Sequence, residues 1–483
     1  MMLSSLNLPC TCDGSYLQVC SLFCCFTIFF SPSWLFAGKN PPLDLLFESP
    51  DVVPVLIQKL QRIDLFPLQF EAAWCLTNIA CGEHKHIATL IDHNVVPYLA
   101  QTIGQHAPPQ ILQQSLWALC NLSNDEYACR SILQHPTIIV LALFHIGIQC
   151  FPHEEFFPAN SWPEYWYPFS PRHRSMNENP QLGTLRQVTF LLGNIFKLRQ
   201  PLHPPLYRCI LFAFADLLHS PDDEIILDIC QTLAIACQQQ PHLIQLVLEE
   251  GILSRFKELL DSQAHHEMAL VAVCVMLRSP WLHHRRTILL HFLSDSTGSG
   301  DGRDRPFIAR LLWALTNATN TTTRRDIVGA IHAIVELGNS MQENAYIVEL
   351  LAGGVYTVLA QLVDQGSYDL KTESGGLLIA LLQRTGCECV DGNVFVVLTA
   401  LLTCTDPAIV LLALQTMEQL LVHLLRSQRQ HEGLVAGVAS SANVQSAVDL
   451  VMWHPLPELA SQAERVNRRL RLLRAAEEDE DDE

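Results

Sequence analysis

The stretches FEAAWCLTNIACG (residues 70–82) and QQSLWALCNLSND (residues 113–125) decide how this chain folds. Each contains a tryptophan that is followed four residues later by an asparagine, and the two copies are 43 residues apart. The pairs are Trp74 with Asn78 and Trp117 with Asn121. Residues four apart lie on one face of an α-helix, so each pair is predicted to share a helical surface. A repeat of this length with helical patterning is typical of proteins built from stacked helical units.

Weaker copies of the same pattern continue along the chain. LRQVTFLLGNIFK places Phe190 and Asn194 in the two positions, 73 residues beyond Trp117, after an insertion. DICQTLAIACQQQ and EMALVAVCVML keep the phase at intervals of 41 and 40 residues, and ARLLWALTNATN supplies Trp313 and Asn317 after a further 42. A period of roughly 40–47 residues with three helical segments in each period indicates armadillo or HEAT repeats.

The sequence suggests three regions. Residues 1–40 form a hydrophobic leader rich in Cys and Phe, residues 41–460 form the repeat array with a loop insertion at 151–180, and residues 461–483 form a basic helix followed by an acidic tail. The long uncharged stretch of the leader is compatible with a membrane anchor or a signal segment. No basic residue precedes this stretch and Ser, Pro and Cys interrupt it, which favours an atypical or misassigned first exon over both.

Charge and cysteine usage narrow the classes of partner. The formal net charge is −19, from 30 basic and 49 acidic side chains, which disfavours nucleic acid and suits basic protein segments. The 17 cysteines are mostly scattered singly, which indicates free thiols in a reducing compartment. The close pairs Cys10/Cys12 and Cys387/Cys389 lack the second pair that a zinc site needs, so no metal or other cofactor is expected. No membrane partner is expected either.

The repeated strings resemble those of the importin-α family, the armadillo adaptors that carry nuclear localisation signals. The resemblance runs in good phase from about Val52 to Leu260 and more loosely to Asn317. It implies an all-α fold, a right-handed armadillo-repeat superhelical solenoid of about nine repeats of about 42 residues. The major peptide-binding groove would then contain Trp74, Asn78, Gly82, Gln114, Trp117, Asn121, Asp125, Phe190 and Asn194. A minor groove would contain Trp313 and Asn317.

These residue types fit the recognition of an extended basic peptide. An Asn amide carries both a donor and an acceptor for a peptide backbone, and tryptophan faces form slots for lysine stems. Stacked helices lie roughly 10 Å apart and an extended chain advances ~3.3 Å per residue, so about three peptide residues match one repeat. Asp125, Gly82 and Gln114 match, in turn, the acid of the family that selects Lys or Arg, its glycine at the groove floor and a peptide-contacting glutamine.

Some positions depart from the family pattern. The first basic residue is Lys39, so no basic segment for binding importin-β precedes the repeats in this sequence, and importin-β is uncertain as a partner. Val271 and Val275 replace an Arg and an Asn of the minor groove, and Arg310 replaces an acidic residue. A minor groove would therefore be incomplete.

Two functions fit the sequence. The first is a nuclear-import adaptor, located in cytoplasm and nucleus, that binds proteins carrying Lys/Arg-rich nuclear localisation signals. The alternative is an armadillo scaffold that uses the same groove for basic segments of a partner outside transport. An enzyme is not expected, because the sequence contains no HExxH, GxxxxGK[ST] or G-x-S-x-G motif.

Overall fold

The computed structural model describes residues 43–47, 50–104, 108–145, 182–198, 204–262, 264–293, 306–337, 341–387, 390–427 and 431–481. Every regular element within these ranges is an α-helix. The chain divides into two compact units, Met1–Thr232 and Leu233–Glu483. The predicted leader (1–40) and the predicted insertion (151–180) lie outside the described residues.

The first unit is a succession of repeats in which a first, a second and a longer third helix follow one another. Its helices are α1 (Leu43–Phe47), α2 (Val52–Leu60), α3 (Phe66–Ile79), α4 (His84–Asp92), α5 (Val95–Thr102), α6 (Pro109–Leu122), α7 (Glu126–Leu133), α8 (Thr137–His145), α9 (Leu182–Lys197), α10 (Pro204–Leu217) and α11 (Asp223–Gln239), the last of which crosses the unit boundary. Helices α4 to α6 and α7 to α9 form complete repeats, and α3, α6, α9 and α11 are third helices.

Local sequence explains where these helices begin. Proline is tolerated at the first position of a helix because its missing N–H would have no partner there, and Pro109 occupies that position in α6. Helix α7 begins after Asp125, whose side chain accepts a hydrogen bond from the backbone N–H of Ala128. Helix α4 begins after Glu83, whose backbone N–H donates to Nδ1 of His86 at 3.1 Å. These caps separate the helices of one repeat from those of the next.

The third helices of the first unit pack against each other. Helix α3 contacts α6, and α6 contacts α9. Leu76 of α3 and Leu116 and Leu119 of α6 are fully buried, and each such side chain contributes roughly 1.5–3 kcal/mol through the hydrophobic effect. The hydroxyl of Thr77 in α3 donates to the backbone carbonyl of Gln114 in α6 at 2.9 Å. Equivalent positions of neighbouring third helices therefore lie side by side.

The second unit follows the same order of helices, except that one of its long third helices is preceded by a single shorter helix. They are α12 (Leu243–Glu249), α13 (Ile252–Leu260), α14 (His266–Leu277), α15 (Leu282–Leu293), α16 (Phe307–Asn317), α17 (Thr321–Val335), α18 (Met341–Ala352), α19 (Val355–Gln365), α20 (Tyr368–Thr385), α21 (Gly392–Leu401), α22 (Pro407–Arg426), α23 (Glu432–Ala439), α24 (Ala442–Met452) and α25 (Pro457–Asp481). The third helices are α14, α17, α20, α22 and α25, of which α14 contacts α17, α17 contacts α20 and α22 contacts α25. The described residues of both units thus contain nine third helices, as the repeat length predicts.

The basic segment near the end of the chain belongs to the last repeat. The sequence predicts a separate basic helix from residue 461, but α25 runs without a break from Pro457. Leu459, Val466 and Leu470 of α25 are buried, and the helix contacts α22, α23 and α24. The arginines of this helix therefore lie on a packed third helix and not on a separate solvated helix.

One helix of the second unit has the length and composition of a membrane span. This is α22, with 20 residues and a mean hydropathy of 1.7, and two bent helix pairs meet the same criteria if each counts as one span. One face of α22 is buried against the repeat array, through Val410, Leu414, Met417 and Leu421. The expectation that no membrane is a partner therefore stays a prediction.

Candidate functional site

The first three third helices bring the predicted groove residues of the first unit onto one surface. We call this surface the Trp/Asn face, made of Trp74 and Asn78 in α3, Trp117 and Asn121 in α6, and Phe190 and Asn194 in α9. Its aromatic side chains reach the surface, since Trp117 is 47% exposed, Phe190 is 36% exposed and Trp74 is half-buried. The three Trp/Asn or Phe/Asn pairs thus lie on successive third helices, and their role in binding a peptide stays a prediction.

The asparagine amides of α3 and α6 already donate hydrogen bonds within the protein. Nδ2 of Asn78 donates to the backbone carbonyl of Trp74, one turn earlier, at 3.0 Å. Nδ2 of Asn121 donates to the carbonyl of Thr77 at 3.0 Å and to the sulfur of Cys81 at 2.9 Å. Asn121 thus ties α6 to the preceding repeat.

Asn194 is the most buried of the three asparagines, with 9% of its surface exposed. Its Nδ2 donates to the hydroxyl of Ser123 at 2.9 Å and to Oδ1 of Asn124 at 3.1 Å. Both acceptors follow α6, the preceding third helix. Asn194 therefore joins two repeats, and a peptide finds little of its amide at the surface.

Asp125 lies where the resemblance expects a selecting acid, but its carboxylate already has partners. Oδ1 accepts the backbone N–H of Ala128 at 3.1 Å and so caps α7. Oδ2 lies 2.6 Å from Nδ1 of His84, and the side chain of Asp125 is only 15% exposed. The side chain of His84 is 68% exposed. Sequence reasoning missed His84, although it precedes Asp125 by 41 residues, close to one repeat.

Gly82 lies in close packing between helices, whereas Gln114 has a buried oxygen without a donor among the described residues. A β-carbon added to Gly82 would lie 2.6 Å from Cδ1 of Leu43 and 2.7 Å from Nδ1 of His86, so the absence of a side chain lets α1 and α4 approach the end of α3. Gln114 is half-buried, and its Oε1 is buried without a hydrogen-bond donor among the described residues. Gly82 therefore has a packing role, whereas Gln114 keeps an unused acceptor.

The Trp313/Asn317 pair lies on a second helix, not on a third helix. Both residues belong to α16, and Nη1 of Arg310 in that helix donates to the carbonyl of Leu260 at the end of α13, another second helix, at 2.9 Å. Trp313 is 42% exposed, and its ring centroid lies 5.8 Å from that of His266. The structure therefore does not bring this pair into the row of third helices in the second unit.

The cysteines within the described ranges are free thiols. Cys120, Cys129 and Cys274 are buried, and burial raises the pKa of the Cys129 thiol to about 12. Such thiols behave as small core side chains and are poor nucleophiles. The same part of the chain contains no group of three His, Cys, Asp or Glu side chains that could hold a metal ion.

Comparisons with known proteins agree with this architecture. The armadillo/beta-catenin-like repeat family matches residues 84–124, which contain α4, α5 and α6. Importin subunit alpha-2 of Arabidopsis thaliana is 29% identical over 228 residues, which cover 47% of this chain and 36% of that protein. Importin subunit alpha-1b of Oryza sativa subsp. japonica is 29% identical over 222 residues, which cover 46% of this chain and 36% of that protein. The chain is a divergent armadillo-repeat protein similar to importin α.

The similarity has a defined extent. The chain matches just over a third of the length of these importin-α relatives, at 36%. A comparison of folds extends over more of the chain. The crystal structure of an engineered protein superposes on 91% of this chain and 93% of the engineered chain, with a TM-score of 0.61 and 16% sequence identity. The predicted fold class, an all-α array of armadillo repeats, is confirmed.

Proposed function

We propose that this protein binds Lys- and Arg-rich segments of other proteins on its Trp/Asn face. The observation that carries the proposal is the pair of neighbouring third helices, α3 and α6, that present a Trp and an Asn at equivalent positions, with Asp125 directly after α6. The importin-α relatives support the proposal by their similarity over 47% of the chain, and the armadillo repeat matched at residues 84–124 contains α6.

The chemistry of the face suits a cationic peptide. The exposed ring of Trp117 can pack against the stem of a lysine, with a cation–π attraction of about 0.5–2 kcal/mol. The carboxylate of Asp125 can accept a charge-assisted hydrogen bond from an ammonium or guanidinium group once His84 moves away. Phe190 offers the third aromatic surface, without the indole N–H of a tryptophan. The peptide would thus be held by alternate aromatic slots and acceptors.

Nuclear localisation signals are the class of basic segment that we propose as ligand. The protein would then act as an import adaptor between cytoplasm and nucleus. The second candidate, a scaffold for a basic segment of a partner outside transport, uses the same face. A fluorescent cargo with a basic signal separates the two, because an adaptor makes its nuclear accumulation in permeabilised cells depend on the added protein, whereas a scaffold does not.

Peptide binding is the direct test of the proposal. Calorimetry with the peptide PKKKRKV at low salt is expected to give a dissociation constant that is micromolar or lower. Binding should weaken as salt rises, since the Debye length falls from about 30 Å at 0.01 M to about 10 Å at 0.1 M and the protein is acidic. A peptide with norleucine at every basic position is the control. No binding of the basic peptide at low salt would overturn the proposal.

A further inference from the structure

Each of the first three third helices carries a polar residue three positions before its aromatic residue. These are Glu71 in α3, Gln114 in α6 and Gln187 in α9, which we call the acceptor row. Residues three and seven apart share a helix face, so Glu71 lies on the same stripe of α3 as Trp74 and Asn78. The acceptor row therefore runs beside the Trp/Asn face, one helical turn closer to the N-termini of the helices.

The acceptor row contains oxygens that have no hydrogen-bond partner within the described part of the chain. Oε2 of Glu71, Oε1 of Gln114 and Oε1 of Gln187 are each buried with no hydrogen-bond donor among the described residues. A buried polar group without a partner costs about 1–3 kcal/mol, so three in equivalent positions would together be a substantial destabilisation. All three side chains are half-buried, so part of each still reaches the surface. A ligand on this surface can supply the missing donors once the end of the side chain turns outward and exposes its oxygen.

Donors and acceptors are unequally used on this surface. The amide nitrogens of Asn78, Asn121 and Asn194 already donate within the protein. In the acceptor row, by contrast, one oxygen of each side chain has no donor from the residues that the structure describes. The ligand that supplies the missing donors is rich in N–H groups. Lysine and arginine side chains carry three and five N–H donors, in the usual count, and no acceptor.

Glu71 differs from the other two members because it can carry charge. Burial raises the pKa of its carboxyl group, and no cation of the described chain offsets that effect. Asp228 in α11 provides a comparison. It precedes Gln231, which occupies the aromatic position of that helix, by three residues. Burial raises the pKa of Asp228 too, but there the charge of Lys197 acts in the opposite direction. Glu71, unlike Asp228, therefore has no cationic side chain beside it among the described residues.

We propose that Glu71 is a second cation-selecting carboxylate of the Trp/Asn face, which pairs with a Lys or Arg side chain of the bound segment. This inference rests on the proposed function and adds to it a specificity-determining residue on the first third helix. Asp125 and Glu71 would then select basic residues at two different positions of one peptide.

A scan of the peptide against two forms of the protein tests this proposal. The dissociation constants of the wild type and of Glu71→Gln are measured by calorimetry for PKKKRKV and for peptides in which each basic residue in turn is norleucine. Loss of a charge-assisted bond should weaken binding of the parent peptide about tenfold in Glu71→Gln. At the peptide position whose basic side chain pairs with Glu71, norleucine should weaken binding to the wild type about tenfold. The same norleucine should weaken binding to Glu71→Gln less than about twofold, because the variant has already lost that pair.

Glu258→Gln is the matched control. Its carboxylate is exposed on the second helix α13, pairs with Arg255, and its loss changes the net charge of the chain equally. It should alter peptide affinity less than about twofold. A thermal melt of Glu71→Gln checks that the fold is intact, and Glu71→Asp, which keeps the charge on a shorter stem, should bind better than Glu71→Gln.

The outcomes separate the two proposals. If the wild type binds the basic peptide and Glu71→Gln binds it equally well, Glu71 is not a selector while the proposed function stands. Glu71 is likewise not a selector if no peptide position depends on it. If the wild type binds no basic peptide, the proposed function and this inference both fail.

Discussion

Nδ1 of His84 lies 2.6 Å from Oδ2 of Asp125, so a histidine at the start of one repeat contacts the acid that caps the first helix of the next. The contact joins α4 to α7, which also pack together. It places an exposed side chain of the protein on the carboxylate that is proposed to select lysine or arginine. A bound peptide must therefore replace His84 as the partner of Asp125.

Replacing His84 with alanine is expected to strengthen peptide binding. A hydrogen bond of about 0.5–1.5 kcal/mol no longer has to be broken, so the affinity for PKKKRKV should rise about two- to tenfold. The free energy of unfolding should fall by less than about 1 kcal/mol, because the side chain of His84 is largely exposed. Calorimetry and a thermal melt measure both quantities.

His93→Ala is the control for that change. Nδ1 of His93 hydrogen-bonds the carbonyl of Thr89, one helical turn earlier, at 2.8 Å, so its loss leaves the contact between His84 and Asp125 in place. Peptide affinity should stay within about twofold of the wild type. Unchanged or weaker binding in His84→Ala would show that His84 does not compete for the acid.

Two asparagines of the Trp/Asn face should differ in their effect on stability. Asn194→Ala leaves the buried hydroxyl of Ser123 and the exposed side chain of Asn124 without this donor, and it should cost about 1–3 kcal/mol of unfolding free energy. Asn78→Ala removes only a bond to the carbonyl of Trp74 in the same helix and should cost less than about 1 kcal/mol. Urea unfolding of both variants tests this contrast, and equal losses would contradict it.

A methyl group at Gly82 should destabilise the first unit. The added β-carbon would lie 2.6 Å from Leu43 and 2.7 Å from His86, so these side chains must move, at a cost of about 1–3 kcal/mol. Gly437→Ala is the control, because a β-carbon there meets nothing within 4 Å and alanine is favoured within a helix by about 0.5–1 kcal/mol. The melting temperature should fall for the first and stay or rise for the second. A Gly82→Ala protein as stable as the wild type would show that this packing is loose.

The sequence predicts the positions of Trp74 and Trp117 well because these two repeats keep their period. Trp74 and Trp117 are 43 residues apart, and they occupy equivalent positions of α3 and α6. The count fails in the second unit, where Trp313 follows Val271 by 42 residues yet lies on a second helix. There, the third helices α14 and α17 begin at residues 266 and 321, and the distance in sequence between these starts exceeds one period of about 42 residues. A repeat count that ignores the longer connection therefore assigns Trp313 to the wrong helix of its repeat.

Other features of the site depend on contacts that a linear sequence does not show. The engagement of Asp125 by His84 joins residues 41 apart, and either could have faced solvent. The bonds that occupy Asn121 and Asn194 also cross between repeats. Glu71, in contrast, could have been found from the sequence, since it precedes Gln114 by the same 43 residues that separate the two tryptophans.

The stability effect of Glu71 should depend on pH. Its folded-state pKa is raised by burial, so the folded protein loses stability as pH rises from the ordinary glutamate range through the raised value. Glu71→Gln removes this penalty without changing the shape of the side chain. The variant should therefore be more stable than the wild type at neutral pH, and the difference should shrink as pH falls toward the ordinary range. Thermal melts across pH measure it, and a difference that grows in acid would refute the assigned cause.

The affinity of PKKKRKV for Trp117→Ala and Trp313→Ala, measured by calorimetry at low salt, tests the location of the binding face most directly. The two tryptophans are similarly exposed, at 47% and 42%, but Trp117 lies on a third helix and Trp313 on a second helix. Trp117→Ala should weaken binding about tenfold or more, through loss of lysine packing and cation–π attraction. Trp313→Ala should stay within about twofold of the wild type. Equal losses from the two variants, or no loss from Trp117→Ala, would contradict the proposed location of the binding face.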